Sequence, residues 1–140
     1  MPTTICKTIM TETAHRLPDH KGRCFFFHGH SYKWEVRLTT EEVRFDGMVM
    51  DFSELKQAMT EIIDQFDHCL VVYEGDPHAD LLPVYRGKES RTMVVPYIPT
   101  AENMAFHVWL QFKEDPTFAG MGVAVRLWET TTSWAEYAEP

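Results

Sequence analysis

The chain has 140 residues, 44% of them hydrophobic and 24% charged, with a formal net charge of −8. That length predicts one domain able to bury a core unaided, and the composition excludes a disordered or fibrous class. No window approaches the roughly 18 consecutive apolar residues of a membrane span, no leader peptide is read at the N-terminus, and so acidic a chain is a poor partner for nucleic acid or an anionic membrane.

The charge is uneven. Residues 1–38 carry a net +3 and the remainder a net −11, so an anionic ligand is expected against the N-terminal third. Cys6, Cys24 and Cys69 make an odd count, which reads as reduced thiols in a cytoplasmic protein.

Residues 4–14 alternate and are rich in β-branched side chains, predicting a strand. Pro18, Asp19 and Gly22 mark a loop over 16–24. Residues 30–40 predict a half-buried antiparallel strand, with Tyr32, Trp34, Val36 and Leu38 facing one way. Asp46-Gly47 is a hairpin signal, and Met48–Met50 are expected to return as a short strand.

Leu55, Ala58, Met59, Ile62, Ile63 and Phe66 form one helical stripe, with Asp51 and Glu54 as a capping pair. Ala101, Met104, Ala105, Val108, Trp109 and Phe112 form another, with Thr100 as its cap and Glu102 in its first turn. The stretch between the helices, Cys69 to Pro99, reads as long and irregular, the kind of segment that walls or covers a site. Residues 122–130 and 134–137 predict a closing hairpin. Strands and helices segregate, so the expected fold is α+β: an antiparallel sheet with two helices packed on one face.

Chemistry concentrates in Cys24–His30. His28 and His30 are two apart on an extended chain and project to the same side. His15, ending the first strand, is the natural third imidazole, and three histidines with an open position read as a catalytic zinc site. The competing reading is a turn with exposed imidazoles. Cys24 is either a fourth ligand or a thiolate near the metal acting as base or nucleophile, with Arg23 beside it. Asp67-His68 could place a general acid or base with its carboxylate, although adjacent residues are not expected to bond each other, and a histidine at a helix end has a dipole reason to be there. Glu129 either faces solvent or accepts from a ligand's donors; on its own the first reading is preferred.

The stretches A-H-R-L (14–17), C-F-F-F-H-G-H-S-Y (24–32), G-M-V-M-D-F-S-E-L-K (47–56), D-H (67–68), P-T-A-E-N-M-A (99–105) and W-E-T (128–130) together resemble the 6-pyruvoyl tetrahydropterin synthase family, and within it the 6-carboxytetrahydropterin synthases of queuosine biosynthesis. The resemblance implies one such domain over 1–140, with a long insertion at about 73–98. It implies the tunnelling fold (T-fold), and a homo-oligomer, commonly a hexamer of two trimers, with active sites between subunits. It implies zinc on His15, His28 and His30, Cys24 as proton acceptor with Asp67 and His68 as relay partners, and Glu129 as the pterin anchor. Thr100 and Glu102 would serve pocket structure. The substrate implied is 7,8-dihydroneopterin triphosphate, cleaved with release of triphosphate and acetaldehyde; Arg16, Lys21 and Arg23 are our candidates for holding the triphosphate. The same scaffold would also suit a pyruvoyl product, a dihydroneopterin-cleaving activity, or a non-catalytic pterin- or metal-binding protein.

Overall fold

The computed structural model describes residues 1–78 and 91–139. Eight elements follow in order: β1 (Thr3–His15), β2 (His28–Thr40), α1 (Phe52–Ile63), β3 (Cys69–Tyr73), β4 (Thr92–Val95), α2 (Ala101–Glu114), β5 (Gly122–Trp128) and β6 (Trp134–Ala138). The strands form a six-stranded sheet in the order β4-β3-β1-β2-β5-β6.

The alternation in β2 has the expected consequence. Tyr32, Trp34, Val36 and Leu38 are fully buried, and Lys33, Glu35 and Arg37 line the opposite face. β2 pairs antiparallel with β1 from Thr3↔Thr40 to His15↔His28 and with β5 on its other side. Both helices cover the inner face: Leu55, Met59 and Ile63 of α1 share one core with Met104, Ala105, Val108 and Phe112 of α2 and with the β2 side chains. The buried hydroxyls are satisfied in a chain. Trp34 Nε1 donates to Thr11 Oγ1, Thr11 to Thr13 Oγ1, and Thr13 to the Phe66 carbonyl. That chain ties β1 to the 3₁₀ turn that follows α1, Asp64–Phe66, and gives each of these buried hydroxyls a partner.

Three expectations need correction. Met48–Met50 form no strand: Asp46-Gly47 does turn, with Gly47 at φ 84, but Val49 and Met50 then drop into the core with no ladder partner. Asp51 caps α1 by accepting from Ser53 N at 2.8 Å, while Glu54 lies 3.8 Å from Arg44 instead of closing a reciprocal box. Within the supposedly irregular stretch, β3 and β4 are strands, and β1–β3 and β3–β4 are parallel pairs, so the sheet is antiparallel only in its larger part. β3 reads Cys69-Leu70-Val71-Val72-Tyr73, a continuous apolar run in which Cys69, Val71 and Val72 are buried and Leu70 and Tyr73 half-buried. The remainder of that stretch, residues 79–90 with Pro83, Gly87 and most of the charged run, lies outside the described residues.

Candidate active site

The antiparallel register builds the site. His15 closes β1 and pairs with His28, which opens β2; His30, two residues on, faces the same side opposite Thr13. The three rings form a triangle with centroids 4.5, 5.2 and 4.9 Å apart. One nitrogen from each lies within 4.8 Å of the others, so the three could hold one metal ion.

The hydrogen bonds support that fit. His15 Nδ1 is 2.7 Å from the Pro99 carbonyl and His28 Nδ1 is 2.7 Å from the Phe26 carbonyl. A carbonyl only accepts, so both Nδ1 atoms carry the proton, and both Nε2 atoms present lone pairs. Those two Nε2 atoms lie 2.9 Å apart, and the buried His30 Nε2 has no hydrogen-bond partner among the described residues. Converging lone pairs repel unless a cation sits among them. Carbonyl-oriented imidazoles of this kind are the usual outer support of a metal site. Burial lowers the pKa of His15, against the Pro99 bond and the Glu129 charge, and burial likewise lowers His30; both are biased to the neutral form that ligates metal.

Glu129 lies just beyond β5, its backbone N–H donating to the Ser133 carbonyl. Its Oε1 is 3.6 Å from His30 Nε2 and its Oε2 accepts from the Tyr32 hydroxyl at 3.5 Å. It is therefore part of the site and not a solvent-facing end. Tyr32 is a residue the sequence reading passed over as core. Its buried hydroxyl sits 3.2 and 3.4 Å from the two His15 ring nitrogens, and burial followed by the Glu129 charge pushes its pKa up. The available signal was its inward position beside His28 and His30, where a phenol needs a polar partner.

Cys24 is half-buried at the centre of a 3₁₀ turn, Arg23–Phe25. The turn is tied to the end of the His15 strand, where Leu17 N donates to the Cys24 carbonyl, but the thiol is not among the clustered donor atoms. Thr100 caps α2 by accepting from Asn103 N at 3.2 Å, which fixes the strand-to-helix corner that presents the Pro99 carbonyl. Glu102 is exposed in the first turn of α2.

Asp67 precedes His68, which borders a groove that Gly29 and His30 also line. Asp67 Oδ1 accepts from Glu12 N at 2.9 Å, and its Oδ2 is 3.0 Å from His68 Nδ1. Adjacent residues thus do bond here, because His68 adopts a left-handed φ of 52 that folds its ring back. The Glu12 N–H, then the His68 contacts, hold the Asp67 carboxyl below its ordinary value. The His68 ring is 74% exposed and borders an open groove of about 590 Å³ with Glu12, Ser31 and Arg91. Among the described residues no hydrogen bond or ion pair joins this dyad to Cys24 or to the three histidines.

The three basic candidates separate. Lys21 and Arg23 are exposed. Arg16 is 3% exposed and each of its three guanidinium nitrogens donates to a protein group, so it is buried in protein contacts and does not face solvent as a phosphate ligand would.

A six-stranded, mostly antiparallel sheet with two helices on one face, and three histidines at the mouth of its central hairpin, define the class. The chain belongs to the 6-pyruvoyl tetrahydropterin synthase family, whose model matches residues 4–140. It is 32% identical over 140 residues to the 6-carboxy-5,6,7,8-tetrahydropterin synthase of Haemophilus influenzae, covering 96% of this chain and 98% of that protein. It is 35% identical over 125 residues to the protein of the same name from Aquifex aeolicus, covering 84% and 77%. Among solved structures, an uncharacterized protein from Wolinella succinogenes matches with a TM-score of 0.86 at 23% identity over 100% of this chain and 99% of that one. The 6-pyruvoyl tetrahydropterin synthase of Plasmodium vivax matches with a TM-score of 0.76 at 19% identity over 99% and 98%. The fold is therefore the T-fold of this family.

Proposed function

We propose that this chain is a zinc-dependent lyase converting 7,8-dihydroneopterin triphosphate into 6-carboxy-5,6,7,8-tetrahydropterin, with release of acetaldehyde and triphosphate, in queuosine (7-deazaguanine) biosynthesis. The observation that carries this reading is the facing Nε2 pair of His15 and His28 beside the unpartnered Nε2 of His30, with Glu129 and Tyr32 at its edge. The carboxy branch is favoured by the Haemophilus relative, which is 32% identical along nearly the whole chain.

His15, His28 and His30 would hold the zinc, which when bound supplies Lewis acidity to the substrate's side-chain hydroxyls. The remaining roles fall to the chain's own groups. Glu129 accepts from the paired N–H donors of the pterin edge, a strong charge-assisted arrangement. Tyr32 steadies that carboxylate from behind. Cys24 takes a proton from the substrate side chain. Asp67 accepts from His68 Nδ1, which leaves His68 Nε2 free to exchange a proton. Lys21 and Arg23 face the triphosphate, and Thr100 and Glu102 maintain the corner of the pocket.

Because no hydrogen bond or ion pair among the described residues joins the Asp67–His68 dyad to Cys24, we assign it to the site of a neighbouring subunit. Among the described residues β6 is the outermost strand on one side of the sheet, and an unpaired edge calls for a partner. A homo-oligomer, a hexamer built as two trimers, satisfies both requirements. The small-molecule reaction needs neither nucleic acid nor membrane, and the cytoplasm is its expected place. Cys24→Ala is the discriminating variant: turnover of dihydroneopterin triphosphate should vanish while zinc content stays at one per chain. Lost zinc would make Cys24 a ligand and contradict the assigned role.

A further inference from the structure

The Cys24 turn sits in the segment between His15 and His28, which is neither helix nor strand except for that one turn. Two neighbouring residues at the start of that segment hold it. Leu17 N donates to the Cys24 carbonyl at 2.9 Å, and an Arg16 terminal nitrogen donates to the Phe25 carbonyl at 3.0 Å. The carbonyls of Cys24 and of its successor are thus both pinned.

Arg16 is in turn anchored from outside the segment. Its Nε donates to Asp76 Oδ2 and its other terminal nitrogen to Asp76 Oδ1, each at 2.8 Å. The side chains of the pair are 4% and 1% exposed. The Phe25 ring stacks beneath the guanidinium, whose carbon is 4.4 Å from the ring centroid. Asp76 is itself fixed to the end of β3: its N–H donates to the Tyr73 carbonyl at 3.0 Å, and its Oδ1 accepts from His78 N at 2.8 Å. A planar two-point pair of this kind defines both distance and orientation, which a lysine could not do.

We propose that Arg16 and Asp76 form a positioning clamp that sets the Cys24 turn against the metal site, and that Arg16 is not a triphosphate ligand. Three of the five guanidinium N–H groups are taken and the side chain is 4% exposed, so turning Arg16 out to a phosphate would mean giving up Asp76 and leaving an uncompensated buried carboxylate. The clamp's catalytic consequence rests on the activity proposed above. Its structural consequence, a held thiol, does not.

The test uses Asp76→Asn and Arg16→Lys in the full-length chain, each in a Cys6→Ser background because Cys6 is exposed and Cys69 is buried. Cobalt bound at the three histidines, read by its visible spectrum, checks that the fold and the metal site persist. Iodoacetamide alkylation of Cys24 should then accelerate at least threefold in a variant that passes that check, since the thiol is released from its turn. With dihydroneopterin triphosphate, kcat should fall by roughly 10–100-fold, the scale of a misplaced catalytic group, with KM within about twofold. Unchanged alkylation overturns the clamp, whether or not the substrate turns over. A raised KM with retained kcat in Arg16→Lys, and no kcat loss in Asp76→Asn, would overturn it in favour of phosphate binding. If the unmutated protein shows no turnover, the proposed reaction fails while alkylation still decides the clamp. If Asp76→Asn does not fold, Arg16→Lys, which keeps the charge, decides it.

Discussion

His15 Nε2 and His28 Nε2 face each other at 2.9 Å although both rings give their Nδ1 proton to a backbone carbonyl. Two lone pairs pressed together by the β1–β2 register cost stability until a cation comes between them. Metal removal should therefore lower the melting temperature, and re-addition should restore it. At free metal about 1,000 times Kd the gain is about 4 kcal/mol. Calorimetry with and without a chelator checks this, and His28→Ala should abolish the metal-dependent part.

The Thr100 cap stands next to Pro99, whose carbonyl holds the His15 ring. Thr100→Ala should cost about 1 kcal/mol of stability through the lost cap. It should also weaken metal binding, because the corner that presents that carbonyl loosens. A competition titration with a chromogenic chelator measures the second effect. Unchanged affinity would mean that Asn103, whose amide donates to the Ile98 carbonyl at 2.9 Å, holds the corner alone.

Tyr32→Phe keeps the buried ring and removes only the hydroxyl near His15 and Glu129. Stability should change by no more than about 1.5 kcal/mol. The KM for the pterin should rise, since Glu129 loses the donor that steadies it. Steady-state kinetics of the variant against wild type checks the direction.

The Asp76 carboxyl has a definite pH signature. Burial alone would raise its pKa, but the Arg16 hydrogen bonds and then the His78 N–H outweigh burial and hold it below the ordinary value. A carboxyl lowered on folding stabilises the native state above its unfolded pKa of about 3.9, and that contribution fades as pH falls through the lower folded value. Breaking a buried pair of this kind costs about 3–5 kcal/mol. The stability difference between wild type and Asp76→Asn should thus be constant from about pH 7 to pH 5 and shrink below about pH 4. Urea unfolding across that range measures it; a difference that grew on acidification would contradict the pairing.

Much of this architecture was legible because it is local. The two-residue period of β2, the stripes of α1 and α2 and the caps at Asp51 and Thr100 are short-range patterns, and all are present. The histidine cluster was legible for the same reason, since a hairpin bringing His15 beside His28 needs only the β1–β2 pairing. What escaped is non-local. β3 and β4 join in parallel, and no turn signal fixes such pairs. Met48–Met50 are apolar enough for a strand but find no ladder partner. Arg16 counted as one more positive charge until Asp76, sixty residues on, buried it. The Asp67–His68 bond depends on one left-handed φ that composition does not announce.

The measurement that bears most directly on the proposed function is product identification. Zinc-loaded protein would be incubated with 7,8-dihydroneopterin triphosphate and the products identified by mass. The account predicts 6-carboxy-5,6,7,8-tetrahydropterin with acetaldehyde and triphosphate. A pyruvoyl pterin, or substrate that binds at the Glu129 pocket and is recovered unchanged, would contradict it.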